Sequence, residues 1–125
     1  MSNRFNVSRD NEGTLLTSNT AWAYYQANNN ATFSAPLCIE FDVVSFTETP
    51  SIRFSNNNTN SLYIINETSH YKIVFGENSI NVIVNGVSKQ HWIPTSILDL
   101  PFRVFFECSD ANESVKYRDF VIYPI

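Results

Sequence analysis

The chain has 125 residues, a length that buries one core of ordinary domain size and is too short for two, so a single domain spanning residues 1–125 is expected. Hydrophobic residues make up 43% and charged residues only 16%, which excludes a disordered chain and leaves Asn, Ser and Thr to supply most of the polarity. The net charge of −4 and the scatter of the eight Lys and Arg residues give no basic footprint, and no apolar run is long enough to cross a bilayer, so neither nucleic acid nor membrane insertion is expected.

Strand signals recur along the whole chain: short runs of Val, Ile, Phe, Tyr and Thr separated by Asn, Ser, Gly and Pro, with no sustained helical period. Strands are expected near Phe5–Ser8, Thr14–Thr17, Ala21–Gln26, Thr32–Ser34, Leu37–Phe46, Ser51–Ser55, Ser61–Ile65, His70–Phe75, Ile80–Val84, Val87–Trp92, Phe102–Cys108 and Lys116–Tyr123. This pattern means an all-β sandwich or barrel, and the expected fold is a two-sheet antiparallel β-sandwich (jelly roll) with at most one short helical turn. In YKIVFGENSINVIVNGVSKQ, Asn85-Gly86 separates two alternating segments and accepts the positive φ angles of a type I′ turn, so a three-strand meander is expected. IPTSILDL is the one helical candidate, with Thr95 or Ser96 as its cap. The period of two places Ile39, Phe41, Val43, Ile73, Ile80, Val82, Val84, Val104, Phe106, Phe120 and Ile122 inside.

Alternation also separates the two cysteines. Cys38 falls on the face of Glu40 and Asp42, whereas Cys108 shares the phase of Val104 and Phe106, an arrangement that favours free thiols over a bridge. The opening segment MSNRFNVSRDNEG has no apolar stretch of the kind a secretory leader needs, and the Met1 start favours a complete reading frame; export would need another route, such as virion assembly or fusion to a secreted chain. The N-x-S/T sequons at Asn6, Asn30, Asn57, Asn66 and Asn112 are read as products of an Asn-rich composition. The Asn tracts around Asn28 and Asn56 fall where loops are expected.

The order EFDVV, YKIVFGENSINVIVNG, FRVFFE and YRDFVIYPI, from about Trp22 onward, resembles the concanavalin-A-like jelly-roll group, which includes laminin-G-like domains, carbohydrate-binding modules and sandwich domains of phage tail and adhesin proteins. The resemblance implies two antiparallel sheets with ligands held on one face or in the loops at one edge. Some members are glycoside hydrolases that place Glu, Asp and a second Glu on one strand face. Glu40 and Asp42 fit the first two places, but the third falls at Val44 or Ser45, neither of which donates a proton to a leaving group. No nucleophile elbow, zinc-protease, phosphate-loop or C-x-x-C pattern occurs, and His70 and His91 read as separate surface strand residues. No enzymatic activity, no cofactor and no metal are expected.

Sugars are held by aromatic rings stacked on their C–H faces, with carboxylates, amides and Arg reading the hydroxyls. Ten Phe residues supply core mass, which leaves the amphipathic Trp and Tyr as candidates for exposed positions. The expected binding residues are Trp22, Tyr24, Arg53, Tyr63 and Trp92, with Glu40, Asp42 and Asn28 as polar partners. The expected function is a lectin-like adhesion or receptor-binding module for a glycan or cell-surface carbohydrate, displayed on a phage particle or cell surface. The alternative is a structural virion component, a decoration or fibre protein, that contacts protein neighbours in an assembly.

Overall fold

The computed structural model describes residues 4–26 and 31–125. Among these, eleven strands occur: β1 (Phe5–Asp10), β2 (Gly13–Ser18), β3 (Ala23–Tyr25), β4 (Leu37–Thr47), β5 (Ser51–Ser55), β6 (Asn60–Ile64), β7 (His70–Phe75), β8 (Ile80–Val84), β9 (Val87–Lys89), β10 (Arg103–Cys108) and β11 (Ser114–Pro124). The helical content of the described residues is one 3₁₀ turn, Thr95–Asp99. The strands form a seven-stranded sheet in the order β1-β2-β11-β4-β7-β8-β9 and a four-stranded sheet in the order β3-β10-β5-β6, all antiparallel. The protein is a β-sandwich.

Alternation explains the layering. Ile39, Phe41 and Val43 of β4, Ile73 of β7, Ile80, Val82 and Val84 of β8, and Val104 and Phe106 of β10 are all buried, as their period of two requires. Phe120 and Ile122 are half-buried and packed against this core. The two sheets meet through aromatic rings. Phe41 stacks on Tyr71 within its own sheet at 5.2 Å and meets Phe106 of the facing sheet edge-on at 5.5 Å, while Phe54 of β5 reaches Phe75 of β7 at 5.1 Å. The β7-β8-β9 meander turns at Asn85 (φ 51°) and Gly86 (φ 78°), the pair of positive angles a type I′ turn demands.

Several elements are shorter than the sequence led us to expect. Trp22 adopts φ 56° within a turn, so β3 starts at Ala23 rather than Ala21. Thr32–Ser34 is not a strand: Phe33 alone exchanges two 2.8 Å backbone hydrogen bonds with Phe102, and Pro36 soon removes a donor that a continuing ladder would need. β9 ends at Lys89, not Trp92, and His91 therefore lies beyond the strand, its Nε2 2.8 Å from the Ile80 carbonyl oxygen. The 3₁₀ turn starts after Pro94 with no side-chain cap; Ser96 instead pairs its hydroxyl with that of Thr59 at 2.8 Å.

Cys38 and Cys108 are free thiols, both fully buried. Cys108 belongs to the core, where burial first, and then the charge of Glu113, push its thiol up to about 12.

Candidate functional site

The longest ladder in the molecule joins β4 to β11, and an irregularity in it shapes the outer face of the seven-stranded sheet. Arg118 pairs with Asp42 and Val121 with Glu40, so Asp119 and Phe120 stand together opposite Phe41. Two residues facing one is a β-bulge, and Asp119 adopts φ 55° to make it. The extra residue lets Phe120 pack its ring 5.6 Å from that of Phe41, while Arg118 and Tyr123 remain on the face of Asp42, Glu40 and Cys38. On the other side of β4, β7 sets His70 opposite Asp42 and Lys72 opposite Glu40.

These strands assemble one connected polar array. His70 Nδ1 lies 2.7 Å from Asp42 Oδ1, and His70 Nε2 lies 2.7 Å from Glu40 Oε1. A neutral imidazole offers one donor, so hydrogen bonds to two ionised carboxylates require the imidazolium. Its pKa is accordingly raised, by the Asp42 hydrogen bond first and the Glu40 hydrogen bond second. Tyr123 donates its hydroxyl to Glu40 Oε2, and this bond, followed by that from His70, holds the Glu40 carboxyl below its ordinary value. The Tyr123 phenol is shifted upward by its interaction with Cys38 first and Glu40 second. Arg118 Nε stands 3.5 Å from Asp42 Oδ2.

The array gives a pH signature. His70 has a raised folded pKa, so its stabilisation is complete below the ordinary value of 6.5 and is lost as pH rises through the raised value. Glu40 has a lowered one, so its contribution is present above 4.5 and is lost as pH falls through the depressed value. The melting temperature lost on His70→Gln substitution is therefore expected to be largest between about pH 4.5 and 6.5 and to shrink in alkaline buffer. The loss is modest, since the His70 side chain is 48% exposed. A loss that is constant from pH 5 to 9 by thermal denaturation contradicts the imidazolium assignment.

Chemically, the array is a set of fixed charges and donors. A glycosidase acid needs a carboxyl whose pKa is raised so that it keeps its proton; Glu40 is driven the other way. Among the described residues, no group of three or more His, Cys, Asp and Glu side chains is placed to hold a metal ion.

The expected binding residues do not converge. Glu40 and Asp42 lie on the seven-stranded sheet with His70, which the strand pattern alone marks only as a separate surface residue. Tyr24 and Arg53 lie on the outer face of the four-stranded sheet, where the Arg53 guanidinium sits 5.1 Å from the Tyr24 ring centroid. Arg53 is also committed to Glu107, which accepts the hydrogen bond of its Nε and is buried although its strand neighbours Val104 and Phe106 occupy the opposite face. Tyr63 is half-buried, its ring 6.4 Å from that of Tyr71, and belongs to the packing between sheets rather than to an outer face. Trp22 and Trp92 are 59% and 96% exposed. They sit at opposite edges: Trp22 leads into β3, stacked over β1 through the Phe5–Tyr25 contact, and Trp92 follows β9. Asn28 lies outside the described residues.

Fold and array together define an antiparallel β-sandwich with a charged, hydrogen-bonded platform on its larger sheet. No protein-family model matches the chain, and no curated protein does. Among solved structures, the sandwich is similar to a "putative glycosyl hydrolase" from Parabacteroides distasonis, with a TM-score of 0.63 and 11% identity over 98% of this chain and 94% of that one. A likeness at this identity shows the fold.

Proposed function

We propose that the protein is a non-enzymatic carbohydrate-binding module of the concanavalin-A-like jelly-roll type, with its ligand on the outer face of the seven-stranded sheet. The observation that carries this reading is the Glu40–His70–Asp42 array flanked by Arg118, Lys72 and Tyr123. Ionised carboxylates accept from sugar hydroxyls and cations donate to them, and the cross-links among these side chains hold them in place before a ligand arrives. The solved neighbour is named a glycosyl hydrolase, which supports a carbohydrate ligand without favouring binding over turnover. The depressed pKa of Glu40 keeps it ionised, an acceptor for sugar hydroxyls.

The test is a glycan array probed with the soluble domain, followed by titration of each hit against Glu40→Gln and Asp42→Asn variants. Discrete sugar hits that weaken about tenfold or more in either variant, at nearly unchanged melting temperature, are expected. The exposed Trp22 and Trp92 are tested in the same titration as alanine variants. Stable oligomers with no sugar hit would instead favour a structural protein, and turnover of a glucan that Glu40→Gln abolishes would make the protein a hydrolase.

A further inference from the structure

The other sheet holds a separate cleft of about 330 Å³ at the end where β5 and β10 meet. Its floor is set by register: Arg103, the first residue of β10, lies directly across from Ser55, the last of β5. Thr32 and Asn57 contribute a hydroxyl and an amide, and Leu100 and Pro101 form an apolar wall. Among the described residues no carboxylate lines the cleft, in a chain of net charge −4. The Arg103 side chain forms no hydrogen bond or ion pair among the described residues, so its guanidinium is uncommitted, unlike that of Arg53.

The walls are fastened to one another. Asn56 Oδ1 accepts from the backbone N–H groups of Asn58 (2.8 Å) and Thr59 (2.6 Å), which closes the β5–β6 turn. Its Nδ2 donates to the carbonyls of Ser96 and Ile97 at 3.4 and 3.3 Å, and the Thr59 and Ser96 hydroxyls pair at 2.8 Å. These bonds tie the turn to the 3₁₀ segment that leads into Leu100 and Pro101. The paired hydrogen bonds of Phe33 and Phe102 hold Thr32 against the start of β10. Three loops are thus fixed around one unpaired guanidinium, a cleft shaped before any ligand enters.

We infer that this cleft is a second binding site, for a small hydroxylated carboxylate of the uronic acid class. The planar guanidinium fork matches a carboxylate in two parallel hydrogen bonds, and Ser55, Thr32 and Asn57 surround it with groups that read ring hydroxyls. The site does not depend on the sugar platform of the seven-stranded sheet, being built on the opposite sheet from different residues.

The probe is glucuronate, titrated into the whole chain by calorimetry, with glucose and acetate as controls. Saturable glucuronate binding is expected, tighter than that of either control, about tenfold or more weaker in Arg103→Gln, and partly restored in Arg103→Lys. Because Arg103 supports no other residue, the melting temperature of Arg103→Gln should match that of the parent protein. Glucuronate binding should also survive Glu40→Gln, which separates this site from the platform: loss in that variant alone would place glucuronate on the platform and overturn the cleft. Equal affinity in Arg103→Gln, acetate binding as tightly as glucuronate, or no saturation at millimolar ligand would each overturn it as well.

Discussion

Replacing Arg53 with alanine is expected to lower unfolding free energy by roughly 3–5 kcal/mol at neutral pH, through loss of a buried pair rather than of a ligand contact. The side chains of Arg53 and Glu107 are only 14% and 3% exposed, so the pair is largely shielded from water. Removing the guanidinium strands a carboxylate where solvation is poor, and also removes the cation from the Tyr24 ring. Urea denaturation reads the loss directly. The double replacement Arg53→Met with Glu107→Leu should recover most of the stability, since an apolar pair of similar volume carries no desolvation cost. A loss under about 1 kcal/mol for Arg53→Ala would mean that the pair is solvated.

Phe41→Ala is expected to cost about 3–5 kcal/mol, with a cavity at the centre of the sandwich. The Phe41 ring is fully buried and touches Tyr71, Phe106 and Phe120, so its loss loosens β4 from β7, from the bulge of β11 and from the facing sheet at once. It also lies between Glu40 and Asp42 in the chain, and slackening there should weaken ligand binding along with stability. Equilibrium denaturation against Ser45→Ala, an exposed position on the same strand, provides the comparison: the control should stay within about 0.5 kcal/mol. A Phe41→Ala protein as stable as the control would show that the interior repacks.

The layering was legible because β4, β7, β8 and β10 alternate cleanly and the Asn85-Gly86 dipeptide names its own turn. Tyr63 shows where alternation stops being informative. NSLYI carries apolar residues in both phases, and on this edge strand Leu62 and Ile64 are the exposed ones while Tyr63 packs against Tyr71. The polar platform was half legible. Glu40 and Asp42 share a strand, so their common face follows from spacing; His70, Arg118 and Tyr123 join them from two other strands, and that junction depends on cross-strand register. The bulge that steers Arg118 and Tyr123 leaves no mark in YRDFVIYPI beyond an aspartate tolerant of left-handed backbone. Glu107 was invisible for the same reason: nothing in FRVFFEC announces an arginine across the ladder.

The two thiols set the terms for chemical modification of the protein. Cys38 and Cys108 have no solvent-accessible surface, and Cys108 is further quieted by a pKa near 12, so the native molecule presents no thiolate to a maleimide. A cysteine introduced on an exposed loop, well away from both sheets' outer faces, would be the sole reactive handle. One fluorophore or one surface tether could then be attached per molecule without first deleting either native cysteine, and detached protein would signal unfolding when the hidden pair begins to react.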